Sequence, residues 1–276
     1  MKKSYLQAQK RGESGIRYKH DLGQHFLYDD ELLQHLVQAC QLSPTDSVLE
    51  IGPGSGALTR FLCRNVNKVI AVEADEDIIP YLKAATLNDH NLTIVQGDIR
   101  KVNLAEICKP LDVPFSVVAN IPYNITTPIF DLLMGNQLPL QKIAVMIQKE
   151  VAQKLLAMPS TEQYGPLSIR CQLYWEALFT EEVPAERFTP PPKVDSTFII
   201  LKKRSTPLIE IIDEARLWRM VKAAFCLRRK TLTNALKSTP EAPTVRNALT
   251  TLGLSENVRA EELSVTEWVQ LSNLCS

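Results

Sequence analysis

The sequence of 276 residues has no long hydrophobic run. No stretch approaches the roughly 18 apolar residues of a membrane-spanning helix, which excludes a helical integral membrane protein. The opening residues, M-K-K-S-Y-L-Q, also lack the apolar centre of a secretory signal. We therefore expect a cytoplasmic protein with no membrane contact.

The sequence has few groups that could bind a metal ion or form a disulfide framework. Its six cysteines lie far apart with no C-x-x-C pair, and its four histidines form neither H-x-x-H nor H-E-x-x-H. Scattered cysteines in a chain this long are typical of free, mostly buried thiols. We expect no metal site, because a chain of this length can bury a core that is stable without one.

Net charge is also absent, since 31 Lys and Arg balance 31 Asp and Glu. This balance hides one basic region, residues 187–237, which contains 12 Lys and Arg but only 4 Asp and Glu. The region includes K-K-R at 202–204 and R-R-K at 228–230. Clustered positive charge is typical of proteins that bind a phosphate backbone, although a solvated helix face can have the same composition.

Short apolar runs alternate with amphipathic segments through the first half of the chain. The runs at 47–51, 68–73, 92–95, 115–119 and 142–148 predict strands, and the segments between them predict helices. Strands that alternate with helices indicate an α/β fold with a doubly wound, mostly parallel sheet.

The pattern changes in the second half. The runs at 169–175 and 196–201 could add antiparallel strands to the sheet edge, and helical periodicity dominates after Pro207. We therefore predict a sheet domain over residues 1–206 and a smaller helical domain over residues 207–276.

The loop after the first predicted strand reads E-I-G-P-G-S-G at residues 50–56. Glycines allow a sharp turn and the close approach of a ligand. Glu73 ends the next strand, 21 residues after Gly52, where a carboxylate can accept hydrogen bonds from ribose hydroxyls. The spacing G-x-G-x-G differs from the G-x-G-x-x-G of NAD-binding loops and resembles the first motif of S-adenosylmethionine methyltransferases. Asp98, after the third strand, can bind an adenine amino group or cap the following turn.

The residues after the fourth strand, Asn120-Ile121-Pro122-Tyr123, resemble the [D/N/S]-P-P-[Y/F] motif of methyltransferases that act on exocyclic amines. An adenine N6 is a poor nucleophile because its lone pair is delocalised into the ring. The Asn120 oxygen and a main-chain oxygen near Ile121 and Pro122 could accept hydrogen bonds from its two N–H groups and so direct the lone pair at a methyl group. Tyr123 could stack on a base extruded from RNA. Phe188, before a stiff triple-proline segment, could lie on the other side of that base or simply pack in the core.

The complete set of motifs resembles the ribosomal RNA adenine dimethyltransferases, and most closely the KsgA type, which acts on the small-subunit RNA. The motifs occur in order over residues 20–237: L-G-Q-H-F-L, E-I-G-P-G-S-G, N-I-P-Y, Q-K-E-V-A, Y-G-P-L-S, F-T-P-P-P-K-V-D-S and F-C-L-R-R-K-T-L. The resemblance implies a Rossmann-like methyltransferase sheet and a helical RNA-binding domain. It also implies transfer of two methyl groups to N6 of each of two adjacent adenosines near the 3′ end of 16S rRNA.

Site roles follow from the resemblance. The catalytic residues are expected to be Asn120, Tyr123 and Phe188, and the RNA-binding residues Arg228, Arg229 and Lys230. S-adenosylmethionine is expected to contact His25, Leu27, Gly52, Gly54, Glu73, Asp98 and Asn120. His25 departs from the family, which more often has Asn there, and Leu22 replaces a more usual Phe. We expect a monomer that acts on the small ribosomal subunit or its precursor.

Three other interpretations stay open on the sequence alone. They are a dimethylase of large-subunit rRNA of the macrolide-resistance type, a non-catalytic factor for small-subunit assembly, and an NAD oxidoreductase. The Y-G-P-L-S and F-C-L-R-R-K-T-L segments favour the small-subunit enzyme over the first. The retained Asn120, Pro122 and Tyr123 argue against the second, and no residues for hydride chemistry can be named for the third.

Overall fold

The computed structural model describes Lys19, Gly23–Gly135 and Leu138–Cys275. Leu22, one of the family departures, lies outside the described residues. The strands are β1 (Phe26–Leu27), β2 (Ser47–Ile51), β3 (Lys68–Glu73), β4 (Leu92–Gln96), β5 (Phe115–Asn120), β6 (Leu140–Gln148), β7 (Trp175–Val183), β8 (Phe188–Thr189) and β9 (Ser196–Lys203). The α-helices are α1 (Asp30–Ala39), α2 (Thr59–Asn65), α3 (Ile79–Ala85), α4 (Leu104–Ile107), α5 (Thr126–Leu133), α6 (Lys149–Leu156), α7 (Pro166–Tyr174), α8 (Glu214–Cys226), α9 (Leu232–Ala235), α10 (Ala242–Thr251) and α11 (Val265–Leu274).

Seven of these strands form one sheet in the order β4-β3-β2-β5-β6-β9-β7. Strands β2 to β6 pair in parallel, and β9 pairs antiparallel with β6. All five residues of β2 are buried, as expected for a central parallel strand covered on both faces. The predicted doubly wound sheet is confirmed, including the antiparallel addition at 196–201.

The prediction of a strand over residues 169–175 is wrong, because this segment is helical as far as Tyr174. The helix begins at Pro166, whose fixed φ suits a first helical turn, and the Ser168 hydroxyl accepts from the backbone N–H of Gly165 at 3.1 Å. These start signals override the alternation of apolar residues. The strand of this region, β7, begins only at Trp175.

A separate two-stranded sheet joins the N-terminal segment to a distant part of the chain. β1 and β8 are antiparallel, with Phe26 opposite Thr189 and Leu27 opposite Phe188. Leu27 and Phe188 are both buried in the core cluster that includes residues of α1, α2 and the large sheet. This short pairing places residues 25–27 next to the carboxyl ends of the parallel strands.

The chain divides into two compact units. The first comprises residues up to Val151 together with Ala177–Lys202, and the second comprises Ala152–Glu176 and Lys203–Ser276. In the second unit, Trp268 is fully buried, and the Tyr164 hydroxyl donates to the carbonyl of Leu263 at 2.8 Å. Residues 152–176, which the sequence-based boundary assigned to the sheet domain, therefore belong with the helices.

Among the described residues, no helix is long and apolar enough to cross a membrane. No cluster of His, Cys, Asp and Glu in that part of the chain could hold a metal ion. All six cysteines are free thiols, and Cys226 is exposed.

Candidate active site

A cavity opens at the carboxyl ends of β2, β3 and β5, where parallel strands of an open α/β sheet expose a crevice. Its wall is completed by the segment that includes β1. Eight residues predicted from the sequence line this cavity: His25, Leu27, Gly52, Gly54, Glu73, Asp98, Asn120 and Tyr123.

The glycine loop needs residues without side chains. Gly52 and Gly54 have φ values of +67° and +56°, a backbone conformation that other residues adopt with strain. A Cβ on Gly54 would lie 2.7 Å from Cε1 of Phe26, which is closer than real atoms approach. The turn therefore depends on glycine twice, for its backbone angle and for its space.

Glu73 fixes this loop from the neighbouring strand. One carboxyl oxygen accepts from the backbone N–H of Gly54 at 2.9 Å, and the other accepts from the backbone N–H of Asp75 at 2.8 Å. Burial raises the pKa of Glu73, and these backbone hydrogen bonds oppose the rise. Each oxygen keeps a further lone pair, so the carboxylate can hold the loop and still accept from a ligand hydroxyl.

Asn120 lies at the end of β5, where its amide is oriented by a contact with the N-terminal segment. Its Nδ2 donates to the backbone carbonyl of His25 at 2.9 Å. Because a carbonyl oxygen only accepts, the NH₂ group must face His25, and Oδ1 is left to accept from another group. The ring of Tyr123 stacks on His25 with centroids 5.2 Å apart, and its hydroxyl hydrogen-bonds to the hydroxyl of Ser196.

The family model for ribosomal RNA adenine dimethylase matches residues 15–276. The chain belongs to the ribosomal RNA adenine dimethylase family. The expected methyltransferase fold and the expected activity, adenine dimethylation of ribosomal RNA, are thereby confirmed. Membership implies a methyl donor of the S-adenosylmethionine type and a ribosomal RNA substrate.

Relatives of this dimethylase match over nearly the whole chain. Ribosomal RNA small subunit methyltransferase A of Streptococcus gordonii is 42% identical over 268 residues, which are 94% of this chain and 92% of the relative. The protein of the same name from Listeria monocytogenes is 38% identical over 269 residues, 94% of this chain and 91% of the relative.

Solved structures share the fold of the dimethylase. A dimethyladenosine transferase from Plasmodium falciparum has a TM-score of 0.73 and 26% identity, covering 90% of this chain and 96% of that chain. The 23S rRNA methyltransferase ErmE has a TM-score of 0.69 and 27% identity, covering 90% of this chain and 98% of that chain.

Asp98 lines the cavity but already has a partner. Its two oxygens accept from Nε and one terminal nitrogen of Arg100 at 2.9 and 2.6 Å, and Oδ1 also accepts from the Arg100 backbone N–H at 3.0 Å. The guanidinium of Arg100 lowers the pKa of Asp98 to about 2. The carboxylate is therefore charged at neutral pH, and it caps the turn that follows β4 as well as facing the cavity.

Two residues of the dimethylase cavity were missed by the sequence-based prediction of the site. Glu50, the acid of the glycine-loop motif, is 1% exposed, and among the described residues its Oε2 has no hydrogen-bond partner. Gln24 donates to Asp75 at 2.7 Å, and Lys19 contacts the other oxygen of Asp75 at 2.5 Å. The position of Glu50 in the glycine-loop motif could have indicated its place in the site. The contact of Gln24 with Asp75 joins residues that are far apart in sequence, so no local pattern indicates it.

Burial of Glu50 should make the stability of the dimethylase depend on pH. Burial raises the pKa of Glu50 from 4.5 to about 8, so the folded state holds a proton that the unfolded state releases. The free energy of unfolding is therefore lowered by this group as pH rises from about 4.5 to about 8. Glu50→Gln cannot ionise. The melting temperature of this variant, relative to that of the wild type, should therefore be higher at pH 8 than at pH 5. An equal difference in melting temperature between variant and wild type at both pH values would contradict this prediction. Glu162→Gln, at an exposed site, is the control.

The structure does not bring Phe188 to the cavity. Its side chain is 2% exposed and packs in the core cluster, while its backbone pairs with Leu27. The pairing of β8 with β1 turns this ring inward, so the core-packing alternative describes it, and we withdraw the prediction that it stacks on the base.

The basic segment in the second unit is divided between two uses. Arg228 forms an ion pair with Glu261 and donates to the carbonyl of Thr161 at 2.9 Å. Arg229 and Lys230 are exposed. Arg228 therefore has a structural partner within its own unit, and the two residues after it are better placed to meet an external phosphate.

Proposed function

We propose that this dimethylase uses S-adenosylmethionine to methylate N6 of two adjacent adenosines, twice each, in the 3′-terminal hairpin loop of 16S rRNA. Its substrate is the small ribosomal subunit or its precursor, and the enzyme works as a cytoplasmic monomer. The observation that carries the proposal is the orientation of Asn120, whose NH₂ group is held by the His25 carbonyl. Its Oδ1 is thereby left as an acceptor for an amine beside the glycine loop.

The residues around the cavity fit S-adenosylmethionine. Glu50 lines the cavity, is 1% exposed, and among the described residues its Oε2 has no hydrogen-bond partner, and such an orphaned buried polar atom is a feature of a site built for a ligand. We assign the ribose to Glu73, the adenine to Asp98, and the remaining contacts to Gly52, Gly54, Leu27 and the backbone of residue 25. When bound, S-adenosylmethionine supplies an electrophilic methyl group on a sulfonium.

The protein's part in the reaction is to bind and orient the target amine. The two N–H groups of this amine donate hydrogen bonds to Oδ1 of Asn120 and to a main-chain oxygen of the Ile121–Pro122 segment. This arrangement favours a pyramidal nitrogen with an available lone pair. The extruded base stacks on Tyr123, a contact worth about 1–3 kcal/mol. His25 covers one face of that ring, so the base takes the other. Burial raises the pKa of Tyr123 above its ordinary value.

Methyl mapping tests this proposal. Purified protein is incubated with labelled S-adenosylmethionine and with small or large ribosomal subunits from cells that lack the enzyme. We expect dimethyladenosine at two adjacent positions of 16S rRNA and none in 23S rRNA, as measured by mass spectrometry of RNA fragments. Label confined to 23S rRNA would instead favour the large-subunit activity named for ErmE, and no label in either RNA would refute the proposal.

Arg229 and Lys230 are expected to bind RNA phosphate. Replacing both with alanine should weaken RNA binding at all salt concentrations and reduce the slope of log affinity against log salt by about 2, since each phosphate contact contributes about 1. Filter binding over a salt series measures both quantities. Lys83→Ala removes an exposed charge outside the basic segment and is the control. An unchanged slope in the double variant would show that the segment is only solvated surface.

A further inference from the structure

His25 connects three parts of the candidate active site. Its backbone carbonyl accepts from Asn120, its ring stacks on Tyr123, and its Nδ1 lies 2.7 Å from the carbonyl oxygen of Pro190. We propose that the His25 side chain is a positioning residue for methyl transfer, which orients Asn120 and Tyr123, and that its ring is not a ligand of the cofactor. This inference rests on the proposed function.

The contact with Pro190 determines which ring nitrogen of His25 carries a hydrogen. A carbonyl oxygen can only accept, so Nδ1 must carry the hydrogen and donate it. Nδ1 is therefore already used within the protein. The partner is 165 positions away in sequence and follows directly after β8, which pairs with β1. The side chain thus attaches residue 25 to the residue that follows the strand paired with residues 26 and 27.

The position of this attachment decides where the Asn120 amide lies. The carbonyl that holds the NH₂ group of Asn120 belongs to His25 itself, and at 2.9 Å a shift of that backbone moves or releases the amide. If the amide turns, Oδ1 no longer faces the substrate amine and an NH₂ group takes its place. Two donors would then face each other, which disfavours the reactive geometry.

The ring of His25 also restricts Tyr123. The two rings are inclined by 29° with centroids 5.2 Å apart, and the Tyr123 hydroxyl is held at its far end by Ser196. The phenol ring is therefore fixed at one face and at its tip. A base that stacks on the face opposite His25 would meet a surface whose angle is already set, which reduces the motion that must be lost on binding.

A set of three substitutions separates the hydrogen bond from the ring. In His25→Asn, Nδ2 can occupy the place of Nδ1 and still donate to the Pro190 carbonyl, although the ring is lost. His25→Phe keeps a ring but cannot donate, and His25→Ala lacks both. Since the hydrogen bond anchors the backbone carbonyl, we expect His25→Asn to be the most active of the three.

The measurement is steady-state methyl transfer to small subunits, together with calorimetric binding of S-adenosylmethionine. We expect kcat of His25→Ala and His25→Phe to fall about 10- to 100-fold, because a misplacement of about 1 Å can reduce a rate by 10². Because only the backbone of residue 25 is assigned to the cofactor, cofactor Kd and KM should change much less than kcat. His25→Asn should recover most of the lost kcat. His35→Ala removes a histidine that contacts Glu181 and Phe179 instead, and is the matched control.

Several outcomes would overturn the inference. Weaker cofactor binding by His25→Ala with unchanged kcat would make the ring a cofactor ligand, and wild-type kcat in His25→Ala or His25→Phe would show that the hydrogen bond is dispensable. Melting temperatures identify any variant that fails to fold. Comparison of His25→Asn with the wild type then still separates the hydrogen bond, which this variant keeps, from the ring, which it lacks. A wild type that transfers no methyl group refutes the proposed function, whereas an active wild type with equally active variants refutes only the role of His25.

Discussion

Asn120→Ala is expected to reduce methyl transfer by about 10² to 10³, the usual loss when one oriented polar group is removed from a reacting centre. The variant loses the acceptor that the amide presents to the target amine, and it also loses the hydrogen bond from Nδ2 to the backbone carbonyl of His25. RNA affinity should fall far less than the rate, because in our assignment the phosphate contacts lie in the second unit.

The matched control for this prediction is Asn67→Ala. Asn67 is exposed, and its amide donates to Asp112 at 3.1 Å, at a position that does not line the cavity. Single-turnover methyl transfer with saturating cofactor and small subunits measures the chemical step, and filter binding measures RNA affinity. Turnover by Asn120→Ala comparable with that of Asn67→Ala would remove Asn120 from the reaction.

Gly54→Ala should have the second large effect, on cofactor binding. The new methyl group would lie 2.7 Å from the Phe26 ring, and the backbone φ of +56° is itself unfavourable for alanine by about 1–2 kcal/mol. Relief of the contact must move Phe26 or the loop whose N–H is held by Glu73. We expect cofactor affinity to fall at least about tenfold, which corresponds to only about 1.4 kcal/mol.

Gly253→Ala separates the two causes. Gly253 has a φ of +69°, but a Cβ placed there meets nothing within 4 Å. Both substitutions should therefore lower the melting temperature through backbone strain, and only Gly54→Ala should weaken binding of S-adenosylmethionine in calorimetry. Equal cofactor affinity in the two variants would mean that the loop does not form the cofactor cradle.

The central sheet could be predicted from sequence because its strands are short, continuous apolar runs. The predicted bounds of β2 and β3, 47–51 and 68–73, agree with the structure. The prediction of a strand over 169–175 is wrong because these apolar residues also fit a buried helix, whose start is marked by Gly165 and Pro166.

The site residues were predictable from sequence where a short local motif contains them. Glu73 and Asn120 end their strands and the glycine loop follows directly after one, so their positions in the sequence mark them. Phe188 was placed wrongly because its inward direction depends on pairing with β1, far away in sequence. The hydrogen bond from His25 to Pro190 spans 165 positions, and no local pattern records such a contact.

The pairing of β1 with β8 has a consequence for the time at which the cavity forms. Every residue that we assign to the cofactor is translated before residue 121, yet residues 188 and 189, which pair with β1, leave the ribosome much later. A nascent chain or truncated fragment that stops short of them contains the binding groups without the wall that β1 supplies. The chain thus becomes able to bind the cofactor late in synthesis, although the residues that contact the cofactor are translated early.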